Sequence, residues 1–190
     1  IFKYYPYQEL RMLTLDEYRK DFEQASNRSV SMPIAGTIIW SIVALLSTQF
    51  DDNIAVYILL FATGGIFPIA LIIAKLRNEN LVSSTNPFAK LMGLCILMVN
   101  LLWAVHIPLL LNAPEFVPLS LGISLGLHWI VYSWIINHPV GLIHAVLRSL
   151  LIVAAWYLFP NHGIFAIASV IVLTYIISIY QMLTREIKSI

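Results

Sequence analysis

The sequence is poor in charge and in cysteine. Only 11% of the 190 residues are charged, and Cys95 is the one cysteine. Since soluble domains carry about 25% charged residues, this composition excludes an ordinary soluble domain. A single cysteine cannot form an internal disulfide, so Cys95 is expected to pack as a small apolar side chain. With a net charge of +1 and no basic patch interleaved with aromatic residues, the chain is not expected to bind nucleic acid.

Acidic residues are absent from the long apolar runs, which excludes several kinds of site. Each Asp and Glu falls in a loop, in the N-terminal segment or near the C-terminus. A Ser–His–Asp triad inside a span would lack its acid, and no histidine pair has a metal-binding spacing such as HExxH. Haem or metal binding by His128 and His144 is therefore only a third functional hypothesis. We expect no cofactor and no enzyme activity.

The chain is rich in hydrophobic residues, which make up 59% of it. A helix needs about 20 mainly apolar residues to cross a hydrocarbon layer of roughly 30 Å. Six stretches meet this requirement: Val30–Gln49, Ile54–Ala74, Phe88–Leu111, Phe116–Ile136, Pro139–Phe159 and Gly163–Leu183. The sequence therefore predicts an all-α, polytopic bundle of six transmembrane helices in a lipid bilayer. In the second span, Gly64 and Gly65 with Pro68 three residues later predict a kink.

The basic residues divide the loops into two sets. With six spans, both termini lie on one side, and that side receives ten of the 11 Lys and Arg residues. The opposite loops carry Asp51, Asp52 and Glu115 and no basic residue. Because Lys and Arg are enriched in the cytoplasmic loops of membrane proteins, both termini are expected to be cytoplasmic.

The segment before the first span is expected to form an amphipathic helix. Thr14 and Glu17 have the spacing of a capping box, and an apolar stripe follows at helical spacing. Its members are Leu15, Tyr18, Phe22 and Ala25. We predict a cytoplasmic segment over residues 1–29 with an interfacial helix, a transmembrane bundle over 30–184 and a cytoplasmic tail over 185–190. The helix would serve as a solvated anchor for the first span or, alternatively, dock a partner.

Arg148 is the one basic residue near the middle of a predicted span. It lies about nine residues from the start of the fifth span, which at about 1.5 Å per residue is about 13 Å deep. A guanidinium does not lose its proton, and placing it at the bilayer centre costs about 2.5–3.5 kcal/mol on insertion scales. Since the spans offer no carboxylate, Arg148 must use neutral acceptors, water or an anion from outside the chain.

Four polar side chains are expected near the depth of Arg148. His144 lies four residues earlier on the same helical face. The hairpin between the fourth and fifth spans places His128 level with Arg148, and Tyr132 level with His144. Asn100, near the middle of the third span, could reach the same level. We predict that these residues form one ligand-binding pocket: Arg148, His144, His128, Tyr132 and Asn100.

A structural role is the alternative for this polar cluster. Polar contacts between membrane helices often only hold the spans together, at about 0.6 kcal/mol each. The sequence GISLG, residues 122–126, has the small-xxx-small spacing that more often indicates close helix packing than a site. The histidine His106, nearer the outer end of its span, is also expected to be structural.

Two functional hypotheses of different kinds follow from these patterns. In the first, the protein binds or transports a small anionic or amphipathic molecule, a lipid headgroup included, at Arg148. Because no internal repeat indicates two halves, transport would favour a homodimer. In the second, the chain is a non-catalytic interaction or scaffold protein whose polar cluster is structural.

Five stretches together resemble a known family: SMPIAGTIIW, GGIFPIALIIAKL, HIPLLLNAPEFVPLSLGI, HWIVYSWI and WYLFPNH. The family comprises small bacterial integral-membrane proteins and is defined only as a domain of unknown function. The resemblance extends from about Thr14 to the end of the chain. It implies a bacterial cytoplasmic membrane, and it implies no mechanism and no site residues.

Overall fold

The computed structural model describes residues 13–81 and 85–186, and every regular element in this part of the chain is helical. Its α-helices are α1 Leu15–Ser26, α2 Ser31–Ser47, α3 Asp52–Gly64, α4 Ile66–Arg77, α5 Pro87–Leu101, α6 Trp103–Asn112, α7 Val117–Ser124, α8 His128–Ile135, α9 Val140–Leu158 and α10 Gly163–Thr184. Six helical segments are long and apolar enough to cross a membrane. The predicted all-α bundle with six such segments is confirmed.

The second, third and fourth segments are each broken near their middle. The second is divided into α3 and α4 at Gly65, where the glycine pair predicts a kink. The third is divided into α5 and α6 at Leu102, and the fourth into α7 and α8 by residues 125–127. Such breaks release backbone carbonyls from their helical partners.

The centre of the bundle is the pair formed by α2 and α10. Residues at three-to-four-residue spacing on α10 are buried against α2, as a helix with one core-facing stripe requires. Gly36 permits this approach, because a Cβ atom there would lie 2.7 Å from the ring of Tyr175. The glycine therefore lets the aromatic ring of Tyr175 reach the middle of the bundle.

Helix α1 lies across one end of the bundle. The predicted capping box is confirmed, since the Thr14 hydroxyl accepts from the Glu17 amide and the Glu17 carboxylate accepts from the Thr14 amide. Arg19 donates to the carbonyls of Trp134 and Ile135 at the end of α8. The buried carboxylate of Glu23 pairs with Arg185 beyond the end of α10 at 2.6 Å.

The chain turns sharply between α1 and α2. Asn27, Arg28 and Ser29 all have positive φ angles, of 41°, 70° and 55°. This conformation is uncommon for residues with a Cβ atom, and hydrogen bonds stabilise it here. Arg28 donates to three carbonyls at the end of α10, those of Met182, Leu183 and Arg185, at 2.8–2.9 Å. We call this end of the bundle, where α1 lies, the basic end.

The third helical segment packs least tightly. In its most apolar window 17% of the residues are buried, against 50% in the first and fourth segments. Helix α5 packs on α8 and α1. A groove lies between α5 on one side and α2 and α4 on the other, lined by residues of all three helices.

Candidate functional site

Arg148 of α9 lies in the interior of the bundle and has no exposed surface. Its Nε donates to the carbonyl of Gly122 at 2.8 Å. That carbonyl is free because the amide of Gly126 bonds instead to Ile123, where α7 gives way to residues 125–127. Gly126 also provides space, since a Cβ atom there would lie 3.0 Å from Cδ of Arg148. Both glycines of the GISLG sequence therefore contribute to the position of Arg148.

The rest of the guanidinium is enclosed by aromatic rings. Its Cζ lies 5.1 Å from the ring centroid of Tyr175 and 5.8 Å from that of Trp40. Both amino groups of Arg148 are buried without a hydrogen-bond acceptor in the described part of the chain, and the buried Nε1 of Trp40 also lacks one. Within residues 13–81 and 85–186 no carboxylate pairs with Arg148. The fold thus satisfies one of the three guanidinium nitrogens.

His144 lies one turn before Arg148 and is 1% exposed. Its ring stacks on Trp129, with centroids 4.1 Å apart, and lies 5.1 Å from the ring of Tyr175. Its Nδ1 is 2.8 Å from the hydroxyl of Ser178 on α10. The other ring nitrogen, Nε2, is buried and unpartnered among the described residues. Arg148 and His144 therefore share Tyr175 as a neighbour.

The other three predicted site residues lie along the groove. His128, Asn100, Trp129 and Tyr175 line a cavity of about 120 Å³. His128 and Tyr132 line a second cavity, of about 80 Å³, together with Phe22 and Ser26 of α1. The two cavities are adjacent, because they share six lining residues: Met32, Pro33, Phe67, Ile96, His128 and Trp129.

Asn100 and Tyr132 have their polar atoms engaged away from Arg148. The exposed side chain of Asn100 donates to the carbonyl of Ile96, one turn earlier on its own helix, at 2.8 Å. The hydroxyl of Tyr132 donates to the carbonyl of Arg28 at the basic end, at 3.3 Å. The structure thus brings Arg148 and His144 together at Tyr175, with His128 lining both adjoining cavities. Asn100 lines only the larger of the two cavities, and Tyr132 lines only the smaller.

His106 forms a separate buried cluster. Its two ring nitrogens lie 3.2 Å from the hydroxyls of Ser120 and Ser124 on α7. Ser124 in turn donates to the carbonyl of Leu121. All polar atoms of the histidine ring have partners, which agrees with a structural role that joins α6 to α7.

Trp40, Tyr175 and Ser178 are among the site residues that the sequence patterns did not indicate. They belong to α2 and α10, which are not neighbours along the chain. One signal does exist, because Trp and Tyr are enriched at membrane interfaces, whereas Trp40 and Tyr175 lie near the middle of apolar helices. An aromatic residue with a polar hydrogen at that depth needs a partner.

The largest cavity described lies at the opposite end of the bundle. Its volume is about 610 Å³, and Asp52, Glu115, Trp156 and Tyr157 are among its lining residues. The carboxylates there are exposed. Across residues 13–81 and 85–186, no group of three or more His, Cys, Asp or Glu side chains is arranged to hold a metal ion.

Comparison with known proteins identifies the chain only at the level of its family. A family model described as "Family of unknown function (DUF7010)" matches residues 15–185. No curated protein and no solved structure shows a significant match. The bacterial origin implied by the resemblance stays a prediction. With a match over most of its length, the chain belongs to this family of unknown function.

Proposed function

We propose that the protein resides in the bacterial cytoplasmic membrane and binds or carries a small anionic or amphipathic molecule, whose negative charge meets Arg148. One observation carries this proposal: the guanidinium is fully buried and both of its amino groups lack an acceptor among the described residues. Burial of an unpaired charge is costly. A negatively charged ligand would relieve that cost. No carboxylate of the described residues pairs with Arg148 and does so.

The distribution of charge supports an orientation with both termini in the cytoplasm. The basic end carries Arg19, Arg28, Lys75, Arg77, Lys90 and Arg185. The loops of the opposite end carry Asp51, Asp52 and Glu115. By the positive-inside rule, the basic end would face the cytoplasm.

The groove supports a ligand with an apolar body. Phe67, Met92 and Ile96 line its cavities together with Met32 and Pro33, and these side chains suit an acyl chain better than a polar solute. Tyr175 lines the cavity of about 120 Å³ and its ring also lies 5.1 Å from Cζ of Arg148. A lipid-like molecule could therefore enter from the bilayer beside α5 and place its headgroup at His128 and Arg148. Transport by such a route would favour a homodimer, since one copy has no internal repeat.

A second candidate function is a non-catalytic interaction or scaffold role. It is favoured by the contacts that Arg148 and His144 already make with α7 and α10. In that case the role of Arg148 would be to stabilise the bundle through its cation–π contacts with Trp40 and Tyr175. The two functions differ in whether a ligand stabilises the protein through Arg148.

Replacement of Arg148 by Gln separates the two functions. Purified protein in a neutral detergent would be heated with and without oleate, lysophosphatidate or lysophosphatidylcholine, and the midpoint of unfolding would be measured. We expect the two anionic amphiphiles to raise the midpoint of the wild type and the zwitterionic one to leave it unchanged. The Arg148→Gln variant should fold and lose the response.

Lys90→Gln is the matched control, because it removes a positive charge from an exposed position at the basic end. It should keep the wild-type response. If Arg148→Gln does not fold, Arg148→Lys keeps the charge and should retain part of the response. Equal stabilisation of wild type and a folded Arg148 variant lacking the charge would overturn the proposal.

A further inference from the structure

Three buried donor nitrogens on two neighbouring side chains, Arg148 and Trp40, lack acceptors in the described part of the chain. They are Nη1 and Nη2 of Arg148 and Nε1 of Trp40, and none of them has a hydrogen-bond partner among the described residues. Trp40 has no exposed surface, and its ring lies 5.8 Å from Cζ of Arg148. A buried donor without an acceptor costs about 1–3 kcal/mol. A ligand bound at Arg148 would therefore have a second unpaired donor nearby, Nε1 of Trp40 on α2.

His144, which shares Tyr175 with Arg148 as a neighbour, supplies a different kind of group. The hydroxyl of Ser178 donates its single hydrogen to the carbonyl of Thr174 at 2.9 Å. Its oxygen must then accept the hydrogen of Nδ1 of His144, at 2.8 Å. In a neutral imidazole the remaining nitrogen, Nε2, is then an acceptor. The buried Nε2 has no donor among the described residues.

Charge and hydrogen count together define the ligand. One fixed cation in an apolar interior balances one negative charge, whereas a dianion would leave a buried charge uncompensated. A carboxylate supplies acceptors for Arg148 and Trp40 but no hydrogen for Nε2 of His144. An oxyanion of charge −1 that keeps one acidic O–H supplies both. A phosphate monoester in its singly charged form and bicarbonate are such groups, and dihydrogen phosphate, which has two O–H groups, also supplies a hydrogen.

We propose, on the basis of the function proposed above, that the site binds a singly charged oxyanion that retains one O–H, with Trp40 as a further ligand-binding residue. The oxyanion accepts from Arg148 and Trp40 and donates its hydrogen to Nε2 of His144. The apolar groove favours a phosphate monoester on an acyl chain as the source of this group. No proton is transferred and no bond is made or broken in this binding.

The test is a binding titration of the full chain in neutral detergent by calorimetry. The probes are oleoyl lysophosphatidate, oleate, inorganic phosphate and bicarbonate. The wild type should bind lysophosphatidate more tightly than oleate. Trp40→Phe keeps an aromatic ring and removes the Nε1 donor, so affinity for lysophosphatidate should fall about tenfold or more. His144→Asn keeps a donor to Ser178 and loses Nε2, so the ratio of lysophosphatidate affinity to oleate affinity should fall toward one.

Trp156→Phe, at the opposite end of the bundle, is the matched control and should bind every probe like the wild type. Tight binding of phosphate or bicarbonate alone, weakened by Trp40→Phe and His144→Asn, would support the inference with a free ion as ligand. Tight binding of lysophosphatidate alone would support a lipid. Equal wild-type affinities for oleate and lysophosphatidate, or no effect of Trp40→Phe and His144→Asn, would overturn the inference. If the inference is overturned in this way, loss of all binding in Arg148→Gln would still support the proposed function.

Discussion

The two most buried arginines of the described chain have opposite surroundings. Arg185, 8% exposed, meets both carboxylate oxygens of Glu23 at 2.6 and 2.8 Å. Arg148, with no exposed surface, meets one carbonyl oxygen. Both residues are cations removed from solvent, and Arg185 is paired with an acid whereas Arg148 is not.

The difference follows from position along the helices. The last carbonyls of a helix have no partner within it, so the basic end offers acceptors, and Arg28 uses three of them at the end of α10. In the middle of the bundle most carbonyls are occupied by the helices themselves, except at the three breaks. Gly122 is available only because α7 ends there. We infer that the arginines of the basic end stabilise the fold, whereas Arg148 is held ready for a ligand.

The largest effect should come from Glu23→Gln. This substitution leaves Arg185 buried beside a neutral side chain, and loss of one partner of a buried ion pair costs about 3–5 kcal/mol. The free energy of unfolding, measured with denaturant in detergent micelles, should fall by that amount. The double variant Glu23→Leu with Arg185→Met removes both charges and should recover most of the loss. A negligible effect of Glu23→Gln would show that the pair does not stabilise the basic end.

Arg148→Met should have a smaller effect on stability in the absence of ligand. It removes the cation–π contacts, worth about 2 kcal/mol when desolvated, and one hydrogen bond. It also removes the cost of an incompletely paired buried charge, which offsets the loss. We expect the free energy of unfolding to change by about 2 kcal/mol or less. A loss as large as that of Glu23→Gln would mean that Arg148 is structural, and the contrast between the two arginines would disappear.

The sequence predicts the bundle better than the site because the two depend on different information. Hydrophobic runs define the spans, and the missing carboxylates identify Arg148 as unpaired. The neighbours of Arg148 depend on how α9 and α2 both pack against α10, and no local pattern encodes that packing. The hairpin between the fourth and fifth spans links His128 to α9 because those helices are adjacent along the chain. Trp40 and Tyr175 come from helices that are far apart in sequence, and Asn100 lies on a face of α5 that its depth alone does not indicate.

Gly126→Ala tests whether the space around Arg148 is required. The new Cβ atom would lie 3.0 Å from Cδ and 3.3 Å from Nε of Arg148, so the side chain must shift and its bond to Gly122 should weaken. Overpacking typically costs about 1–3 kcal/mol, and the flexible arginine places this case near the lower value. Gly93→Ala, in α5, meets no atom within 4 Å and should be neutral or slightly stabilising. Equal unfolding midpoints for the two variants would show that Arg148 adapts without cost.

The smallest effect concerns His138, in the turn between α8 and α9. Its Nδ1 accepts the amide hydrogen of Val140 at 3.2 Å, and protonation would abolish this bond. Burial lowers the pKa of His138 below 6.5, and the positive charge of Arg185 lowers it further, against the opposing effect of Glu23. Because the unfolded chain then binds the proton more readily, stability is complete above the unfolded pKa and falls as pH decreases below about 6.5.

His138→Asn isolates this contribution. The amide oxygen can accept from Val140 and does not titrate, so the variant should lose less stability than the wild type between about pH 7 and pH 5. Unfolding midpoints measured across this range check the prediction. Since Glu23 opposes the effect of Arg185 on His138, Glu23→Gln should lower the pKa of His138 further. The pH range over which His138 reduces stability should then extend to lower pH. Identical pH profiles of the unfolding midpoint for wild type and His138→Asn would show that titration of His138 does not contribute to the pH dependence of stability.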